Sequence, residues 1–173
     1  MRSVFYFGAC TPRGFVSYAG SLLDELQTLT IIKGGSGCGK STFMRAIGRA
    51  AEEKGLDVEY ILCSSDPDSL DGVVLPALST GFVDGTAPHV LEPRLCGGSM
   101  NYLNFGAFYD SAAMRPNEEE ILAAQRDNKA CYIAVTACLA AADKLLDCVR
   151  QEARQPHVVE ETEAIGECLA LSA

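Results

Sequence analysis

The feature that most constrains this chain is a junction in its first third, where a β-branched apolar run meets a cluster of glycines. Thr28-Leu29-Thr30-Ile31-Ile32-Lys33 has the composition of a buried strand. Gly34-Gly35-Ser36-Gly37-Cys38-Gly39-Lys40-Ser41 follows at once, with Thr42 behind it. Within Ser41–Lys54, Phe43, Met44, Ile47 and Ala51 then recur at helical spacing, and Gly55 is a suitable stop. The glycines allow left-handed backbone, so consecutive N–H groups can converge on one point. The helix behind them adds the positive end of its dipole.

Together these residues match GxxxxGK[ST] in the strand-to-helix setting that the motif requires, and they predict a phosphate-binding loop. Gly34, Gly35, Ser36, Gly37, Cys38, Gly39, Lys40, Ser41 and Thr42 are the expected nucleotide contacts. Lys40 is a point charge for the β- and γ-phosphates, and the Ser41 hydroxyl is an expected Mg²⁺ ligand. Cys38 is either a small residue that fits the loop or a thiol that bound nucleotide shields from reagents.

Leu56–Cys63 reads as a second strand and Gly81-Phe82-Val83-Asp84 as a third. Strand, helix, strand in this order predicts an α/β fold of the P-loop NTPase kind, a parallel sheet flanked by helices. Asp84 either holds Mg²⁺ beside Ser41 or only opens the Asp84-Gly85 turn. His89, just downstream, either orients a water or an acceptor or is a loop histidine. The polar segment Ser64–Gly72 reads as turn-rich and opens toward the same edge of the sheet. Its acids Asp66, Asp68 and Asp71 suit water activation or an acceptor hydroxyl, and they suit tight turns equally well.

The last third changes character. The 39 residues between Pro116 and Pro156 contain neither Gly nor Pro, and Cys131, Val135, Cys138, Leu139, Ala142, Leu145, Leu146 and Val149 recur every three or four residues. As one helix this stretch would run ~58 Å, so it either forms an arm or folds into a hairpin. Val159–Leu169 is expected to add a short helix. The expected division is a nucleotide-binding core over 1–115 and a helical extension over 116–173, whose apolar stripe packs on its own domain or on a partner.

Charge narrows the class. With 23 acids against 14 bases the net charge is −9, and no Lys/Arg-rich block is present, so no nucleic-acid partner is expected. No apolar run approaches the ~20 residues of a membrane span, and no secretory signal is evident, so a cytoplasmic location is expected. The eight cysteines are scattered without a CxxC pair, as expected of reduced thiols rather than of a disulfide framework or a zinc site.

Beyond the generic loop, four stretches resemble a family of bacterial tandem P-loop proteins described as ATPases or as nucleotide-kinase-related proteins. They are Gly14–Tyr18, Ile32–Thr42, Cys63–Pro76 and Val83–Pro93, which together span roughly the first 95 residues. Family members carry two P-loop halves, and this chain is similar to the first, with Cys38 where Thr is common. The resemblance implies ATP, or GTP, with Mg²⁺, and a second P-loop half or self-association through the C-terminal helices as partner. The leading expectation is an ATPase in which Lys40 stabilises phosphate charge, Ser41 and Asp84 hold Mg²⁺, and Asp66, Asp68 or His89 positions water. A small-molecule or nucleotide kinase and a nucleotide-dependent switch are the alternatives.

Overall fold

The computed structural model describes residues 2–20, 25–87, 90–92 and 100–154. The chain divides into two compact units, residues 1–10 with 15–126 and residues 11–14 with 127–173.

The first unit is built on a six-stranded sheet. Its strands are β1 (Arg2–Phe5), β4 (Thr28–Lys33), β5 (Val58–Leu62), β6 (Leu70–Leu75), β7 (Thr80–Asp84) and β8 (Met100–Asn104). They lie in the order β1-β5-β6-β7-β4-β8, while β2 (Gly8–Thr11) and β3 (Gly14–Ser17) pair as a separate ribbon. β4 runs parallel to both neighbours, with Ile32 opposite Asp84 on β7 and Lys33 opposite Asn104 on β8. β1 is parallel to β5, whereas β6 is antiparallel to β5 and to β7. The sheet is therefore mostly parallel, and β6 departs from the all-parallel arrangement that the sequence suggests. β4 is the fourth strand of the chain, although it is the first that the sequence announces.

Adjacent residues of β4 serve opposite faces, as the two-residue period of a strand requires. Ile32 joins Met44, Val58, Tyr60, Val73 and Phe105 on one side, and Ile31 joins Phe7, Leu29, Ile61 and Val83 on the other. Both faces are covered, so the central strands read as continuous apolar runs rather than alternating ones. The helix α1 (Lys40–Glu52) lies on the Ile32 side, with Met44, Gly48 and Ala51 buried. Phe43 of α1 meets Phe82 and Phe105 edge-on at 6.0 and 5.3 Å between ring centres. Gly48 lets Tyr60 press against the helix backbone, where a Cβ would collide with the ring. The helix stops at Gly55, left-handed at φ 76°, with Leu56 N donating to Ala51 O at 3.0 Å.

Ser64–Gly72 is not one turn-rich segment. The loop ends at Ser69, and Leu70, Asp71 and Gly72 belong to β6, every residue of which is buried. Burial between two neighbouring strands overrides the turn chemistry of Asp-Gly, and Gly72 is needed because a Cβ there would stand 2.7 Å from Ile61 Cδ1.

After β8 come a short helix α2 (Ser111–Met114) and the 35-residue helix α3 (Glu118–Glu152), which has no buried residue. The hairpin alternative is thus set aside, because α3 is one helix about 52 Å long. The proposed short helix over Val159–Leu169 lies outside the described residues. In the second unit, the Thr11–Gly14 turn is closed by the Thr11 hydroxyl donating to Gly14 O at 2.7 Å.

Candidate functional site

The parallel strands β4, β5 and β7 end on one edge of the sheet, and the glycine-rich loop crosses that edge between β4 and α1. Gly37 and Gly39 are left-handed, at φ 75° and 90°, so side chains at these two positions would strain the loop. Gly34 is required by proximity, since a Cβ would stand 2.6 Å from Cys38 Sγ and 3.1 Å from Phe105 Cβ. Gly39 is the N-cap of α1 and has no side chain to cap it, and the first turn holds no acid. No side chain of the N-cap or of the first turn therefore offsets the positive dipole end of the helix.

Lys40 is buried at the foot of this loop. Its ammonium donates to Gly34 O at 2.6 Å and to Gly35 O at 2.8 Å, and lies 3.7 Å from Cys38 Sγ. It also stands 3.4 Å from Asp84 Oδ2, with both side chains largely shielded from water. The pairing of Ile32 with Asp84 across β4 and β7 sets this distance. The other oxygen of Asp84, Oδ1, accepts from Thr86 N at 2.9 Å and from the Thr86 hydroxyl. Lys40 and Asp84, 44 positions apart, are thus brought together.

Ser41 Oγ accepts from Leu70 N at 2.9 Å, which ties the first turn of α1 to the start of β6. A hydroxyl keeps a second lone pair and its own proton, so Ser41 retains capacity for a further ligand. Thr42 faces outward, in a groove of about 370 Å³ on the exposed side of α1 with Arg45 and Arg49.

Asp66 and Asp68 sit in the exposed loop that leaves β5 at the same edge. Asp66 Oδ1 accepts from Asp68 N at 3.0 Å, closing an Asx turn, and Asp68 O accepts from Arg45 Nη2 at 2.7 Å. Asp71 is corrected from a loop acid to a buried strand residue. It lies beside Cys63, whose thiol is pushed up chiefly by burial, with the Asp71 charge adding to the shift. His89 lies outside the described residues.

Two features were missed by the sequence reading. Tyr109 donates its hydroxyl to Ser36 O at 2.8 Å, so the chain after β8 reaches back onto the loop. Lys33, the last residue of β4, fastens the segment beyond Asp84. Its ammonium donates to Gly85 O, Leu91 O and Glu92 Oε1 at 2.9, 2.8 and 2.9 Å, while the Tyr102 hydroxyl bonds Glu92 from the other side. A lysine closing an apolar run is the only hint of this clasp in the sequence.

Among the described residues no group of three or more His, Cys, Asp or Glu is placed to hold a metal ion, and no helix is long and apolar enough to cross a membrane. Ser41 and Asp84, the pair expected from the sequence to hold Mg²⁺, both lie at this edge, at the start of α1 and the end of β7. Comparison with family models, with curated proteins and with solved structures finds no match. The functional reading therefore stands on the geometry of this edge.

Proposed function

We propose that this protein binds Mg-ATP on the Gly34–Thr42 loop, within a P-loop NTPase fold, and hydrolyses the β–γ phosphate bond. The observation that carries the reading is the Lys40 ammonium, gathered by the Gly34 and Gly35 carbonyls and set 3.4 Å from Asp84. An uncapped helix start over two left-handed glycines supports it. The donor set also fits Mg²⁺, which is commonly held by one or two carboxylates together with substrate phosphates rather than by an all-protein cage.

In this reading the loop amides and the start of α1 bind the phosphate chain. Lys40 turns its ammonium to the β- and γ-phosphates and balances charge that builds on the bridging oxygen. Ser41 and Asp84 hold Mg²⁺, which when bound neutralises the phosphate oxygens. Thr86, bonded to Asp84 Oδ1, keeps that carboxylate turned along the edge. Asp66 and Asp68 orient water from the neighbouring loop, a role shared with His89 in the expectation from sequence. GTP in place of ATP uses the same phosphate contacts. The kinase alternative is favoured by one observation, the exposed Asp66–Asp68 turn at the same sheet edge, where an acceptor hydroxyl can be held.

Phosphate release from Mg-ATP without an added acceptor tests the reading. Hydrolysis is expected in the wild type, and Asp84→Asn should keep nucleotide binding while turnover falls about 100-fold. Release that begins only when an acceptor is supplied selects the kinase. Bound nucleotide that is never turned over refutes both.

A further inference from the structure

Tyr109 comes at the end of a well-anchored turn. The 3₁₀ turn Phe105–Phe108 follows β8, and its Phe105 is buried against Phe43 of α1 and stacked edge-on with Phe108 at 5.5 Å. On the other side, Asp110 caps α2 by accepting from Ala112 N and Ala113 N at 2.9 and 3.1 Å. Between these supports, the Tyr109 hydroxyl donates to the Ser36 carbonyl at 2.8 Å. A Cβ built on Gly35 would lie 2.8 Å from the same phenolic oxygen.

In a trans peptide the C=O and the next N–H point in opposite directions. A phenol holding Ser36 O therefore turns the Gly37 N–H away from Tyr109. Lys40 holds the carbonyls of Gly34 and Gly35, so three successive carbonyls are fixed, two by an ammonium and the third by Tyr109. The third needs a restraint most, because Gly37 is left-handed and a glycine there tolerates either setting of the peptide plane. Burial, with Cys38 beside it, pushes the Tyr109 phenol up, so it stays protonated and able to donate at neutral pH.

We propose that Tyr109 is a positioning residue of this loop, its hydroxyl on Ser36 O holding the Gly37 N–H toward a bound phosphate chain. This rests on the phosphate-site reading given above. It assigns Tyr109 no contact with the base or the sugar.

The test titrates Mg-ATP and magnesium tripolyphosphate into wild type, Tyr109→Phe, Gly35→Ala and the double variant. Tyr109→Phe keeps the ring and loses only the donor, so both ligands should weaken by the same factor, about five- to tenfold. The midpoint of thermal unfolding without ligand should stay within about 4 °C of wild type. Gly35→Ala should produce a similar loss, because its methyl displaces the phenolic oxygen, and should cost much less when added to Tyr109→Phe. Wild-type affinity in Tyr109→Phe overturns the inference, as does a loss confined to ATP, which would assign the hydroxyl to the nucleoside rather than to the loop. A full Gly35→Ala cost in the Tyr109→Phe background overturns it as well. If Tyr109→Phe fails to fold, wild-type affinity in Gly35→Ala has the same force. A wild type that binds neither ligand fails the phosphate-site reading itself, and this inference with it.

Discussion

The helices α1 and α3 are held by opposite means. α1 has 13 residues and buries Lys40, Met44, Gly48 and Ala51, while α3 has 35 residues and buries none. α1 starts badly by local rules, with an uncapped left-handed glycine and a lysine at its N-terminus, where positive charge is unfavourable. Tertiary packing on Phe82, Tyr60 and Phe105 compensates. α3 follows the local rules instead. Glu118, Glu119 and Glu120 occupy its first turn, Arg150 its last, and Arg150 pairs with Asp147 at 2.9 Å. Eight alanines within it favour the helix without needing a partner surface. The contrast teaches where this chain departs from local preference: at the helix start that the proposed phosphate site uses.

The largest expected effect tests the packing side of that contrast. Met44 is fully buried, so Met44→Ala should lower unfolding free energy in urea by about 2–5 kcal/mol. A loss below about 1 kcal/mol would break the comparison. The cysteines sharpen it next. Cys131, Cys138 and Cys148 on α3 are exposed, whereas Cys38 lies in the loop beside Lys40. Site-resolved thiol labelling should slow about tenfold at Cys38 in Mg-ATP and stay unchanged at the three helix sites. Equal slowing everywhere would mean that nucleotide changes the whole chain.

A smaller effect is expected at the Lys33 clasp. The Tyr102 hydrogen bond first, and the Lys33 bond second, lower the Glu92 carboxyl below its ordinary value of 4.5. Because its folded pKa is depressed, the Glu92 contribution is present above pH 4.5 and disappears as pH falls through the lowered value. Lys33→Met should return the Glu92 titration, followed by carboxyl NMR, toward 4.5, and an unmoved titration would remove Lys33 from the clasp. The smallest effect belongs to α3. Leu145 is 69 % exposed, so Leu145→Ala should change stability by no more than about 0.5 kcal/mol. A loss of 2 kcal/mol at dilute protein would show that this position is packed in solution.

The parts of the fold that were legible in the sequence are those encoded locally. The loop is a pattern of adjacent residues, α1 follows from the spacing of Phe43, Met44, Ile47 and Ala51, and β7 from Gly81–Asp84. β6 was hidden because Asp71-Gly72 has the chemistry of a turn, and only burial between β5 and β7 makes it a strand. α3 was visible as a helical stretch but not as one continuous helix, since a lack of Gly and Pro permits continuity without enforcing it. Of the candidate site, an acid near Lys40 was expected because the loop motif calls for one at the end of a neighbouring strand, and the pairing of β4 with β7 puts Asp84 there. The Tyr109 contact was not expected, because a hydrogen bond spanning 73 positions leaves no periodicity to read.

Equilibrium binding of Mg-ATP to wild type and to Lys40→Ala tests the central claim most directly. The ammonium on Gly34 O and Gly35 O is the cation that the proposed phosphate chain meets, so wild type should bind and Lys40→Ala should lose affinity at least about 100-fold. Equal affinity in the two proteins, with both folded by circular dichroism, would contradict the account.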